Sequence, residues 1–283
     1  MAYSIALDIG GTNTRIAILD ENHLIKIRES IKTKNSVDFS GVIGHEINNI
    51  LEKNKISKSN IVAIGAGIPS ITENGIIYDT TNIRSWKEVR LKEELERITG
   101  IATFVENDAK CFALGELITG KLKGSKNAVA IILGTGVGSG IIINGDIYAG
   151  MMSSAGEIGK NILFDGTVED YCSGKFFKKK GYTGEEIFDE AEQKNKIALK
   201  ILSEYGTNLG LALVDVINII SPERIVFGGS IARCYPYFSK SMNLTIKRKM
   251  HFKRLFEKIE FLTTDSMDSA LIGAASVPKI RSV

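Results

Sequence analysis

Residues 3–20, "YSIALDIGGTNTRIAILD", decide the fold of this 283-residue chain. "YSIALDI" is a near-continuous apolar run, as a strand covered on both faces requires. "GGTN" then turns the chain, and "TRIAILD" reads as a second strand returning beside the first. The same plan recurs at residues 127–144, where "NAVAIIL" leads into "GTGVGSG" and then "IIIN". A third element also pairs up, since "IVAIGAG" at 61–67 matches "RIVFGGS" at 224–230. Three glycine-marked elements in the same order predict a duplicated α/β fold.

Helical spacing of apolar residues places a helix at 38–53 in the first half and a counterpart across 185–220 in the second. The second half is longer, and its extra residues fall at 146–184, a stretch without clear periodicity that contains "AGEIGK" and "FDGTVEDYCSG". Long connections in compact domains are usually functional, so substrate contacts are expected there. "DSALIGAASV" near the C-terminus reads as a helix that returns to the first half. The expected division is a small N-terminal lobe, 1–110 plus 268–283, and a larger lobe, 111–267.

Composition excludes several classes. Apolar residues make up 43% and charged ones 24%, values of an ordinary globular chain, and the net charge of +3 comes from scattered lysines. The basic run Lys178–Lys180 and the stretch from Lys247 to Arg254 read as solvated faces, so no nucleic-acid partner is expected. No apolar run is long enough to span a membrane, and the first strand follows Met1 too closely for a signal peptide. Cys111, Cys172 and Cys234 are odd in number and far apart, which suits a reducing, cytoplasmic setting.

Glycine turns at strand ends let backbone N–H groups approach a phosphate closely, and the hydroxyls of Thr12 and Thr14 add donors. Neither turn is a Walker loop, and "GTGVGSG" is followed by strand-like "GIIIN" where a dinucleotide fingerprint needs a helix. The pattern suits two facing hairpins with the phosphates of a nucleotide between them. The nucleotide-binding candidates are Gly10, Gly11, Thr12, Asn13, Gly134, Thr135, Gly136, Gly138, Gly228 and Gly229, with Asp8 close enough to hold Mg²⁺ directly or through water.

In order along the chain, "ALDIGGTNTRIAILD", "VENDA", "IILGTGVGSGIIING", "AGEIG", "IVFGGSI" and "DSALIGAA" resemble the ROK sugar kinases of the actin/hexokinase-like ATPase superfamily. The resemblance covers nearly the whole chain. It implies a duplicated, ribonuclease H-like α/β fold of two lobes with a cleft between them. It further implies ATP- and Mg²⁺-dependent phosphorylation of a hexose hydroxyl.

On that resemblance Asp108, in the strand-to-helix junction "VENDAKC", is the general base. A hydroxyl is a weak nucleophile at neutral pH, so a carboxylate that takes its proton assists phosphoryl transfer. Asn107 beside it would hold sugar hydroxyls, although either residue could instead cap the helix that follows. Glu157 matches a sugar-binding glutamate, while Asn82 and Gly67 match residues lining the sugar pocket. Lys160 stands where many relatives carry a zinc-binding histidine that also contacts the sugar. Lysine is a poor zinc ligand and only Cys172 stands where a cysteine cluster would be, so no zinc is expected. Lys160 would reach a sugar oxygen or point to solvent. Glu169 matches a glutamate that contacts the sugar, with Asp170 as its rival.

Glucose phosphorylated at its 6-hydroxyl is the first expectation. N-acetylmannosamine, N-acetylglucosamine and fructose remain open. A sugar-sensing repressor would carry a DNA-binding segment before the first hairpin, where seven residues precede Asp8. A non-catalytic ATP-binding scaffold would not need both "VENDA" and "AGEIG". Family members commonly dimerise, and nothing in this sequence decides whether a homodimer forms.

Overall fold

A computed structural model describes residues 2–78, 80 and 83–281. The chain divides into two compact units, one of residues 1–120, 149–155 and 266–283, the other of 121–148 and 156–265. In the first, β1 (Tyr3–Ile9), β2 (Asn13–Asp20), β3 (Ile25–Lys32), α1 (Phe39–Lys53) and β4 (Ile61–Ile68) come first. Short strands β5 (Ile71–Glu73), β6 (Ile76–Tyr78) and β7 (Glu88–Val89) form a small sheet, followed by α2 (Leu91–Thr99), β8 (Thr103–Asn107) and α3 (Asp108–Ile118). The main sheet has the order β3-β2-β1-β4-β8, with β1 and β2 antiparallel and β1, β4 and β8 parallel.

The second unit repeats it. β9 (Ala128–Leu133), β10 (Val137–Ile143) and β11 (Asp146–Ile147) precede the hairpin β12 (Ile162–Leu163) and β13 (Gly166–Thr167). Helices α4 (Val168–Cys172), α5 (Gly174–Lys179), α6 (Gly184–Glu192) and α7 (Lys196–Ile220) lead to β14 (Arg224–Gly228), α8 (Tyr235–Lys249), α9 (Lys253–Phe256) and β15 (Glu260–Thr263). The sheet order is β11-β10-β9-β14-β15, the same topology strand for strand. The duplicated α/β fold is therefore present in the hydrogen bonding as well as in the glycine pattern.

Each face of the first sheet is covered. Ile5, Leu7 and Ile9 join α1 and α2 in one core, while Ala6, Ala17 and Leu19 pack with α3 and α10 (Ser269–Arg281) in another. The C-terminal helix thus packs on the first unit, as its sequence suggested. It sits so close that a Cβ on Gly65 would lie 1.7 Å from the Ala274 carbonyl oxygen. Trp86 is a core residue, fully buried beside Phe39, with its indole N–H donating to the Ser36 carbonyl at 3.0 Å.

Several boundaries differ from the sequence reading. The first unit runs to residue 120 because α3 packs on α10, β4 and β8. The helix expected across 185–220 is broken at 193–195, where Lys194 is left-handed and Asn195 caps α7 through bonds from Ile197 and Ala198 N–H. Of the unpatterned stretch at 146–184, residues 149–155 pack within the first unit and the remainder within the second.

Candidate active site

The polar ends of β1, β4 and β8 lie side by side in the first unit. Asp8 is in register with Gly67, and Gly67 with Glu106, so the three occupy one row across neighbouring strands. Strand spacing of about 4.8 Å puts β1 and β8 roughly 10 Å apart. The next residue of β8, Asn107, ends the strand and caps α3. Its side-chain oxygen accepts from the N–H groups of Ala109 at 3.0 Å and Lys110 at 3.2 Å. Its amide nitrogen lies 3.4 Å from the Ser70 carbonyl. The capping alternative is therefore realised by Asn107, and its acceptor atom is committed to the backbone.

Asp108 follows as the first residue of α3 and is half-buried. One carboxylate oxygen accepts from Ala109 N–H at 2.8 Å, and an anion at a helix N-terminus is favourably placed. Gly67 makes room for this junction, since a Cβ there would lie 3.1 Å from Cys111 Sγ and 3.5 Å from Asp108 Cα. Cys111 beneath it is fully buried, and burial pushes its thiol up, helped by the nearby carboxylates of Glu106, Asp108 and Asp8.

Asp8 is paired across the hairpin with Arg15, whose Nε donates to Oδ2 at 2.7 Å and whose terminal nitrogen reaches the same oxygen. Arg15 also donates to the Met267 carbonyl at 3.1 Å. A carboxylate already holding a guanidinium on one oxygen fits a magnesium ion approached through water or through Oδ1, not through Oδ2. In the turn that follows, Gly11, Thr12 and Asn13 are exposed, while the Gly10 N–H is turned inward onto the Asn13 carbonyl at 3.1 Å. Thr14, read as a phosphate donor, is instead fully buried, its hydroxyl 2.9 Å from that of Thr33. Strand alternation carries it to the inner face.

In the second unit the matching turn is Gly134–Gly136, shorter than the glycine pattern suggested, because Gly138 is already inside β10 opposite Ile132. Gly134 N–H bonds the Gly136 carbonyl at 3.0 Å, and Thr135 is exposed at the top. Gly228 ends β14 in register with Ile132, and Gly229 follows at φ 86°, where a Cβ would lie 2.3 Å from the Leu133 carbonyl oxygen. Only glycine fits there.

Glu169 sits against this turn. Its Oε2 accepts from Val137 N–H at 3.3 Å and would be 2.6 Å from a Cβ on Gly136. Its Oε1 takes Lys175 at 2.8 Å and Lys160 at 3.5 Å. Burial alone would raise its pKa, but the Lys175 hydrogen bond, Lys160 and the Val137 N–H together hold it below the usual carboxylate range. Asp170, its rival, is committed to a capping box with Thr167, accepting from the backbone N–H at 3.0 Å and the hydroxyl at 2.7 Å. Lys160 is thus exposed yet ion-paired. Glu157 is exposed, in a loop fixed along β10 by the bond from Ser139 Oγ to the Gly156 carbonyl at 2.5 Å. Asn82 lies outside the described residues. Among the described residues no group of three or more His, Cys, Asp or Glu side chains is arranged to hold a metal ion.

The model of the ROK family matches residues 4–280. This chain belongs to the ROK family. It is 30% identical to a glucokinase of Halalkalibacterium halodurans over 97% of this chain and 94% of that one. It is also 27% identical to a xylose repressor of Bacillus spizizenii over 88% of this chain and 70% of that one. Its fold is that of a ROK family glucokinase from Streptomyces griseus solved in complex with glucose and AMPPNP, at a TM-score of 0.82, 23% identity and coverage of 98% and 99%. Two residues of the ROK chain's junction escaped the sequence reading, Glu106 and Lys110, both buried. Their signal was present, since each puts a charge into an otherwise apolar strand or helix face.

Proposed function

We propose that this chain transfers the γ-phosphoryl group of ATP to a hexose hydroxyl, with the 6-hydroxyl of glucose as first acceptor and Asp108 as general base. The chain is an ATP-dependent sugar kinase, a reading supported by its family and by its glucokinase relative. One observation carries the assignment to Asp108. A half-buried carboxylate stands at the β8–α3 junction, beside the strand row that holds Asp8, while its neighbour Asn107 does the capping.

The chemistry then runs as follows. As the sugar oxygen bonds to the γ-phosphorus and the bond to the departing ADP breaks, the hydroxyl proton passes to a carboxylate oxygen of Asp108. Asp8 would hold Mg²⁺ through water, and that ion, when bound, neutralises charge on the phosphates. The turns at Gly10–Asn13 and Gly134–Gly136, with Gly228 and Gly229, would face the phosphates, and Gly138 would support the second turn from within its strand. Gly67, Asn82, Asn107, Glu157, Lys160 and Glu169 are the proposed sugar-binding residues, on the strength of the family motifs they match. Lys160, at the position of the zinc-binding histidine of many members, is ion-paired with Glu169 at 3.5 Å, which supports a role for that pair in ordering the loop. The three cysteines among the described residues are free and buried, which fits a cytoplasmic enzyme.

The test is ATP turnover with Mg²⁺ against glucose, mannose, fructose, glucosamine, N-acetylglucosamine and N-acetylmannosamine, beside Asp108→Ala. Glucose-dependent ADP release that vanishes in the variant is the expected result. A preference for an N-acetylated hexosamine or fructose would move the substrate within the same reaction. No stimulation by any sugar would overturn the kinase and favour a sugar-sensing regulator, the activity class of the xylose repressor relative.

A further inference from the structure

Lysine is among the side chains least often fully buried, yet Lys110 is 1% exposed. It also lies in the first turn of α3, where a cation opposes the helix dipole. A methionine would occupy similar space without either cost. The ammonium donates to the carbonyl of Ser153 at 2.6 Å. The hydroxyl of the same Ser153 donates to Glu106, itself 3% exposed. Glu106 Oε1 in turn accepts from Asn107 N–H at 2.9 Å. One residue therefore grips both sides of the Asn107–Asp108 pair, by its side chain on one side and its main chain on the other.

Ser153 belongs to the segment 149–155, which packs in the first unit although the chain on either side belongs to the second. The segment runs along β5, and the carbonyl of Ser70, just before β5, faces the Asn107 amide. Its backbone is strained: Met152 and Ser153 are consecutive non-glycine residues with φ of 50° and 51°. Such conformations persist only where surrounding contacts over-determine them, and they cluster at functional sites. Two residues beyond the segment comes Glu157.

We propose that Lys110, Ser153 and Glu106 form a buried latch that holds segment 149–155 against the Asp108 turn, so that the segment walls the acceptor's side of the site. Lys110 is a positioning residue for acceptor binding, acting through Ser153. The kinetic half of this inference rests on the sugar-kinase reading; the structural half does not.

The experiment compares full-length wild type, Lys110→Met, Lys110→Arg and Ser153→Ala by amide hydrogen exchange and by steady-state kinetics. In Lys110→Met, exchange at 149–155 is at least tenfold faster, and KM for the sugar rises at least tenfold while KM for ATP stays within twofold. Lys110→Arg keeps a donor and returns both to within about threefold of wild type. Ser153→Ala loses only the Glu106 arm and shifts both about threefold in the same direction. Unchanged exchange at 149–155 in Lys110→Met overturns the latch, as does a rise in ATP KM equal to that for the sugar. If Lys110→Met does not fold, unchanged exchange in Ser153→Ala overturns it. A wild type without sugar turnover sinks the kinase reading alone, and the exchange measurements then decide the latch.

Discussion

The two units share one sheet topology and differ in what occupies the matching row of that sheet. In the first, Arg15, Asp8, Gly67 and Glu106 stand side by side on β2, β1, β4 and β8. In the second, Gly138, Ile132 and Gly228 hold the corresponding places on β10, β9 and β14. One copy of the repeat therefore carries charge where the other carries glycine and an aliphatic side chain. A duplicated fold needs the strands in both copies, but a reaction needs only one base. The charged row also leads directly to Asp108, because β8 is its last strand and α3 begins where β8 ends.

The sharpest way to break the comparison is Asp108→Ala, which should lower sugar-dependent ADP release about 10³-fold while thermal unfolding stays close to wild type. An intact rate would move the chemistry out of the first unit. Next is Asp8→Asn, expected to lower kcat about 10²-fold and to raise the Mg²⁺ concentration needed for half-maximal rate. Its positional match in the second unit is the half-buried Ile132, and Ile132→Val should cost at most about 0.5 kcal/mol of stability and leave kcat within twofold.

Gly65→Ala probes the packing behind the charged row. The new Cβ meets the Ala274 carbonyl oxygen at 1.7 Å, so α10 must shift. Overpacking of this kind costs about 3 kcal/mol, and calorimetry should show Tm falling by roughly 6–12 °C. The smallest effect concerns acid. Glu169 is held below its ordinary range, so its ion pairs contribute stability above the unfolded-state value of about 4.3. That contribution is lost as pH falls through the lower folded value. Glu169→Gln should lower stability modestly at neutral pH and flatten the acid limb of a stability–pH curve, so that the variant and wild-type curves converge in acid.

Much of this was legible in the residues. Apolar runs marked the central strands, and glycines at their ends marked the turns, because only small residues tolerate those close approaches, whereas the alternating edge strand Ile25–Lys32 was not read. "VEND" stood out because two polar side chains ended an apolar run. Other features were hidden for physical reasons. The break before α7 hinges on Asn195 as a cap inside a stretch whose apolar spacing continues on both sides. The division of roles at "ND", with Asn107 capping α3 and Asp108 opening it, depends on backbone angles that both residue types can adopt. Glu169 and Asp170 are adjacent and chemically alike, and only their partners distinguish them.

While the strand order came from the hydrogen bonding, the sequence by itself determined the duplication and named candidate residues with chemistry to offer. Those depend on local pattern, the periods of strand and helix and the chemistry of single side chains. Tertiary structure alone decided that Asp8 holds Arg15, that Glu169 lies under the second glycine turn, and that residues 149–155 cross to meet Lys110 and Glu106. Each of these is a hydrogen bond or ion pair set by how strands and loops are brought together, and side-chain pattern does not encode which distant partner a polar atom will meet.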